Sequence, residues 1–89
     1  MKQIPNYLSK TSPGKVGDRF LVLINDDYNT FEHVIDCLTS LCDHTAVQAE
    51  QCALLTHYKG SCEVLVGSYS ELELIKDDLM LYGLNVEIL

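Results

Sequence analysis

Three short apolar segments separated by three helix-capping signals leave this 89-residue chain little choice of fold. Phe20-Leu-Val-Leu-Ile24 is an apolar run that breaks into the polar cluster Asn25-Asp26-Asp27-Tyr28-Asn29-Thr30, the pattern of a strand ending in a turn. Ser61–Val66 alternates with Cys62, Val64 and Val66 on one face, and Leu84–Leu89 alternates with Leu84, Val86 and Ile88. Between these segments the apolar period changes to that of a helix. Asn29 with Glu32, or Thr30 itself, caps a first helix with Val34, Cys37, Leu38 and Leu41 on one face, ending near Cys42-Asp43-His44. Thr45 with Gln48 opens a second, striped by Ala49, Cys52, Ala53 and Thr56 and stopped by Gly60. Ser70 with Glu73 opens a third, striped by Leu72, Ile75 and Leu79 and stopped by Gly83.

The order is therefore β-α-α-β-α-β. Three short strands cannot bury both faces of a sheet at this length, so the expected fold is a two-layer α/β domain, a three-stranded sheet with helices on one face. Residues 1–17 mix Pro5, Pro13, Gly14 and Gly17 with polar side chains and show no periodicity. They are expected to form a flexible arm ahead of a domain spanning 18–89.

Charge separates the two parts. The chain has 6 basic and 13 acidic side chains and a formal charge of −7, yet Lys2, Lys10, Lys15 and Arg19 all fall in the first 19 residues against Asp18 alone. Such a body lacks the basic face that phosphate binding by counterion release demands, which speaks against a nucleic-acid partner. The longest apolar run, Phe20–Ile24, is far below the ~18 residues of a membrane span, and the first ten residues lack the apolar core of a signal peptide. No membrane partner and a cytoplasmic location are expected, with Cys37, Cys42, Cys52 and Cys62 as reduced core residues rather than a disulfide framework.

The densest polar cluster is Asn25-Asp26-Asp27, where the first strand meets the first helix. Asn and Asp favour turns and helix N-termini for backbone reasons. The same side chains equally suit a cation: a primary ammonium offers three donors and a positive charge, and an amide carbonyl, a carboxylate and a neutral imidazole nitrogen complement it. His57, in Thr56-His57-Tyr58-Lys59-Gly60, lies in the last turn of the second helix, where it complements the helix dipole. If that helix runs back along the first strand, its end also approaches the Asn25 turn. Metal-ligand spacing is poor. There is no Cys-x-x-Cys or His-x-x-x-His, and His33 with Cys37 is the clearest helical pair, with Cys42 the next thiol. A thiol or metal protein built on these three residues is the weakest alternative, and no cofactor or enzymatic constellation is expected.

Asn25-Asp26-Asp27-Tyr28-Asn29-Thr30-Phe31-Glu32-His33-Val34-Ile35-Asp36, followed about twenty residues on by His57-Tyr58-Lys59-Gly60, closely resembles the ClpS family of adaptors for bacterial AAA+ Clp proteases. The resemblance covers residues 20–89 and implies the same β-α-α-β-α-β domain, shared with the C-terminal domain of the ribosomal stalk protein. It further implies a receptor for N-degrons, free protein N-termini that begin with Leu, Phe, Tyr or Trp. Matched by position, Asn25, Asp27 and His57 would hold the α-ammonium, Asp27 through water, with Asp26 on the peptide backbone. The apolar pocket would be lined by Leu23, Phe31, Val34, Ala53, Thr56 and Leu84. Burying a Leu- or Phe-sized side chain there gives about 1.5–3 kcal/mol.

Phe31 stands where relatives often have Met, at a position that acts as a gate against β-branched first residues. Thr56 replaces a frequent Val, and Ala53 a bulkier side chain. Glu71 and Lys76 match family residues that dock on the N-terminal domain of the unfoldase, once a gap near Tyr69 is allowed. The flexible arm matches the extension that relatives use in substrate delivery. The alternative that the resemblance leaves open is a regulatory domain that docks on the unfoldase and alters its substrate choice without receiving N-degrons.

Overall fold

A computed structural model describes residues 17–89, so the arm expected over residues 1–17 lies, but for Gly17, outside the described residues. The strands are β1 (Arg19–Ile24), β2 (Ser61–Gly67) and β3 (Val86–Ile88), and the helices are α1 (Phe31–Leu41), α2 (Ala46–Lys59) and α3 (Tyr69–Leu81). They follow the expected order. The sheet is antiparallel with β1 in the centre, in the order β2-β1-β3.

Helix stripes and sheet form one core. Leu21 and Leu23 of β1, Cys62 and Val64 of β2 and Val86 of β3 are buried against Val34, Cys37 and Leu38 of α1, Ala49, Cys52 and Ala53 of α2, and Leu72 and Leu79 of α3. All four cysteines are buried as thiols within the protein. Residue size explains the arrangement: the small side chains of α2 let it lie close to α1, while the leucines of α1 and α3 fill the remaining space.

Three local expectations are corrected. The third helix is capped by Ser68 with Glu71, not by Ser70 with Glu73. The segment Ser68-Tyr-Ser-Glu-Leu-Glu contains two overlapping Ser-x-x-Glu pairs, and the earlier one wins because β2 ends at Gly67, where a Cβ would stand 3.2 Å from Glu71 Oε1 and 3.8 Å from Leu72. In β2, Val66 does not share the face of Cys62 and Val64. A bulge displaces the register, so that Leu65 lies opposite Leu21 and packs on the core, while Val66 lies opposite Phe20.

The last strand is also shorter than the alternation over Leu84–Leu89 implies. Leu84 belongs to the helix terminus: its N–H bonds Leu79 O at 3.1 Å and that of Gly83 bonds Met80 O at 3.0 Å. Gly83, at φ +88°, supplies the left-handed residue this termination needs, and buried Leu84 meets the end of α3 as its apolar partner. At the opposite end of the choice, α1 is capped by Thr30, whose hydroxyl accepts the His33 N–H.

Candidate functional site

The site forms at the C-terminal end of the central strand because both neighbours are tied to it there. Asn25 N–H bonds the carbonyl of Gly60, at 2.9 Å, which brings the end of α2 against the β1–α1 turn. On the other side Ile24 N–H bonds Asn85 O at 2.8 Å, which brings the α3–β3 turn alongside. Gly60, at φ +95°, lets α2 reverse sharply into β2 and so leaves His57 facing the turn.

A cavity of about 330 Å³ opens between these segments. Leu23, Phe31, Val34, Ala53, Thr56 and Leu84 line it, as do the polar residues Asn25, Asp26, Asp27 and His57. All ten residues singled out for a pocket thus meet at one cavity, drawn from β1, the β1–α1 turn, α1, α2 and the turn before β3. Two further lining residues, Ile24 and Asn29, were not foreseen. Ile24 follows from its place beside Leu23. Asn29 looked like an alternative cap, and nothing local marks it as part of the site. Glu71 and Lys76 lie on α3 and do not line the cavity; the Glu71 carboxylate accepts from the N–H and hydroxyl of Ser68.

The polar mouth is held by its own hydrogen bonds. Asp26 Oδ1 accepts the backbone N–H groups of Tyr28 at 2.8 Å and Asn29 at 2.9 Å, and Oδ2 accepts the Asn29 side-chain amide at 2.8 Å. Partial burial pushes the Asp26 carboxyl upward, but the backbone N–H groups of Asn29 and Tyr28 and the Asn29 amide outweigh it and hold the group below the usual carboxylate range. Asn25 and Asp27, one on each side, are exposed.

The floor is apolar and the far wall aromatic. Ala53 and Thr56 are buried, and the Thr56 hydroxyl donates to Cys52 O at 2.8 Å, which satisfies its proton within the helix. Phe31 is 43% exposed and meets the His57 ring edge-on with centroids 5.5 Å apart. His57 meets Tyr58 in a second edge-on contact at 5.0 Å. These contacts fix the imidazole at the cavity's edge, between an apolar wall and the acidic turn.

The thiol cluster is differently built. His33 Nε2 lies 2.7 Å from Tyr82 O and 3.7 Å from Cys37 Sγ, so its proton goes to a carbonyl. Burial pushes the Cys42 thiol up to about 12, with nearby Cys37 adding to it, and burial together with Asp36 raises Cys37. Thiols raised in this way are poor nucleophiles at neutral pH. Among the described residues no three His, Cys, Asp or Glu side chains cluster in a way that would hold a metal ion. Nor is any helix among them long and apolar enough to cross a membrane.

The sequence profile of the ATP-dependent Clp protease adaptor protein ClpS matches residues 19–87. The chain belongs to the ClpS family. It is 34% identical over 67 residues to the ClpS adapter of Thermosynechococcus vestitus, covering 74% of this chain and 71% of that one. It is 31% identical over 83 residues to the ClpS adapter of Synechocystis sp., covering 92% and 85%. Among solved structures, Agrobacterium tumefaciens ClpS2 bound to L-phenylalaninamide superposes with a TM-score of 0.71 at 20% identity, over 84% of this chain and 98% of that one. Membership makes the protein an adaptor of a Clp protease and not a catalyst.

Proposed function

We propose that this ClpS-family adaptor binds the free N-terminus of proteins whose first residue is Leu, Phe, Tyr or Trp and delivers them to a Clp-type AAA+ unfoldase for degradation. One observation carries the reading: a single cavity pairs a polar mouth of Asn25, Asp27 and His57 with apolar walls of Leu23, Val34, Ala53 and Leu84. An N-terminal residue presents the same pairing, an ammonium and a side chain on one carbon. The Asn25 amide oxygen, a neutral His57 nitrogen and Asp27, acting through water, accept the three N–H donors. Of the four acceptor positions on the Asp26 carboxylate, three are taken by the turn, which leaves one on Oδ2 for a peptide N–H. Acetylation removes the charge and two of the ammonium donors, so blocked termini fail.

L-phenylalaninamide, the ligand of the Agrobacterium relative, is a free α-amine with a benzyl side chain and supports the assignment by its chemistry. Docking on the N-terminal domain of the unfoldase falls to α3, with Glu71 and Lys76 as its contacts, and delivery to the arm at residues 1–17. Fluorescence anisotropy with short peptides beginning with Phe, Leu, Tyr or Trp tests the reading, alongside acetylated and Glu-first controls. Saturable binding confined to the unblocked hydrophobic peptides is expected. Equal binding by all, or by none, contradicts it; unfoldase binding without any peptide binding would identify a regulatory domain instead.

A further inference from the structure

Asn29 closes the cavity from a position that the proposed contacts do not use. Its side-chain amide spends both protons: one goes to Asp26 Oδ2 at 2.8 Å, the other to the carbonyl of Gly83 at 3.0 Å. The second bond spans 54 residues of sequence and joins the β1–α1 turn to the α3–β3 turn. Each end bears on one half of the cavity. Asp26 organises the turn that presents Asn25 and Asp27, and Gly83 immediately precedes Leu84, a wall residue that is 4% exposed. A Cβ at Gly83 would stand 3.9 Å from Asn29 Oδ1, so the two turns meet in van der Waals contact at this point.

We infer that Asn29 is a positioning residue for ligand recognition: by latching the two turns together it sets the span between the polar mouth and the Leu84 wall. The inference rests on the proposed function. The ammonium and side chain of a first residue diverge from one Cα, so the groups that meet them must be held at a fixed separation. Two other ties run nearby: the Ile24–Asn85 backbone bond, which belongs to the sheet, and His33 Nε2 to Tyr82 O at 2.7 Å, which fixes α1 to the end of α3. The Asn29 bond joins the turn residues that flank the cavity. With both its protons satisfied inside the protein, the Asn29 amide acts through Asp26 and Leu84.

A double-mutant cycle separates positioning from mere stabilisation. The affinity of a free-amine, Phe-first peptide is measured for the wild type, Asn29→Ala, Leu84→Ala and the double variant, with melting temperatures confirming that each is folded. Asn29→Ala should weaken binding about tenfold in the wild-type background and less than about twofold once Leu84 is gone, because the wall it positions is then missing. Equal fold-losses in the two backgrounds, or no loss from Asn29→Ala, overturn the inference. Leu84→Val replaces Leu84→Ala in the cycle if the latter does not fold at the assay temperature. Wild-type protein that binds no such peptide overturns the proposed function, and the role of Asn29 with it.

Discussion

Replacing Asp26 by Ala removes the acceptor for three hydrogen bonds at once, those from Tyr28 N–H, Asn29 N–H and the Asn29 amide. Loss of a comparable capping side chain costs about 0.5–2 kcal/mol. Here three donors lose one partner, but water reaches this half-buried turn and replaces part of the loss, which gives about 1–2 kcal/mol. For a domain of this size that is a fall in melting temperature of about 4–16 °C. Asp26→Asn, which keeps an oxygen for the two backbone donors and loses the charge, should fall by less. The pH dependence has a definite sign. Because the folded carboxyl lies below its unfolded value, its stabilisation is present above about pH 4 and is lost as pH falls through the folded value. Thermal denaturation followed by circular dichroism should therefore show a constant gap between wild type and Asp26→Ala at neutral and mildly acidic pH, narrowing below about pH 4. Equal melting temperatures at neutral pH, or a gap that widens on acidification, would refute this assignment of the turn.

Gly60→Ala should destabilise by about 1–2 kcal/mol in chemical denaturation, a purely backbone cost, since no atom lies within 4 Å of the added methyl at φ +95°. Ala53→Leu should narrow the floor of the cavity and, in anisotropy titrations, weaken Tyr- and Trp-first peptides more than Leu-first ones, with the fold retained. Cys42, 2% exposed and raised to about 12, should resist alkylation in native protein at neutral pH and react once denaturant is added, as mass spectrometry would read. Modification of Cys42 at the rate of an exposed thiol would contradict its place in the core.

Element order was legible because each helix announces itself locally. Thr30, Thr45 and the Ser-x-x-Glu pairs precede apolar stripes of helical period, and Gly60 and Gly83 follow them. What escaped was decided between elements. The choice of Ser68 over Ser70 turns on where β2 leaves the sheet, and two overlapping capping signals cannot encode that. The bulge at Leu21/Val22 breaks the period-two rule without a glycine or proline to mark it, and it moved Val66 off the core face. For the site, local signals mark Asn25–Asp27 and His57 as two separate polar points, and their pairing was legible only through the run of the second helix and the family resemblance; the backbone bond from Asn25 to Gly60 is what brings them together. Asn29 was invisible as a latch, since its partner Gly83 lies in a different turn with no pattern connecting the two.

The most direct test is to titrate isotope-labelled protein with L-phenylalaninamide and follow backbone amide shifts by NMR. Binding at the proposed cavity predicts saturable shifts at Asn25, His57 and Leu84, abolished when the ligand is replaced by its N-acetyl form. Shifts confined to the groove between His33, Cys37 and Tyr82, or the same shifts with the acetylated ligand, would contradict a receptor for free N-termini.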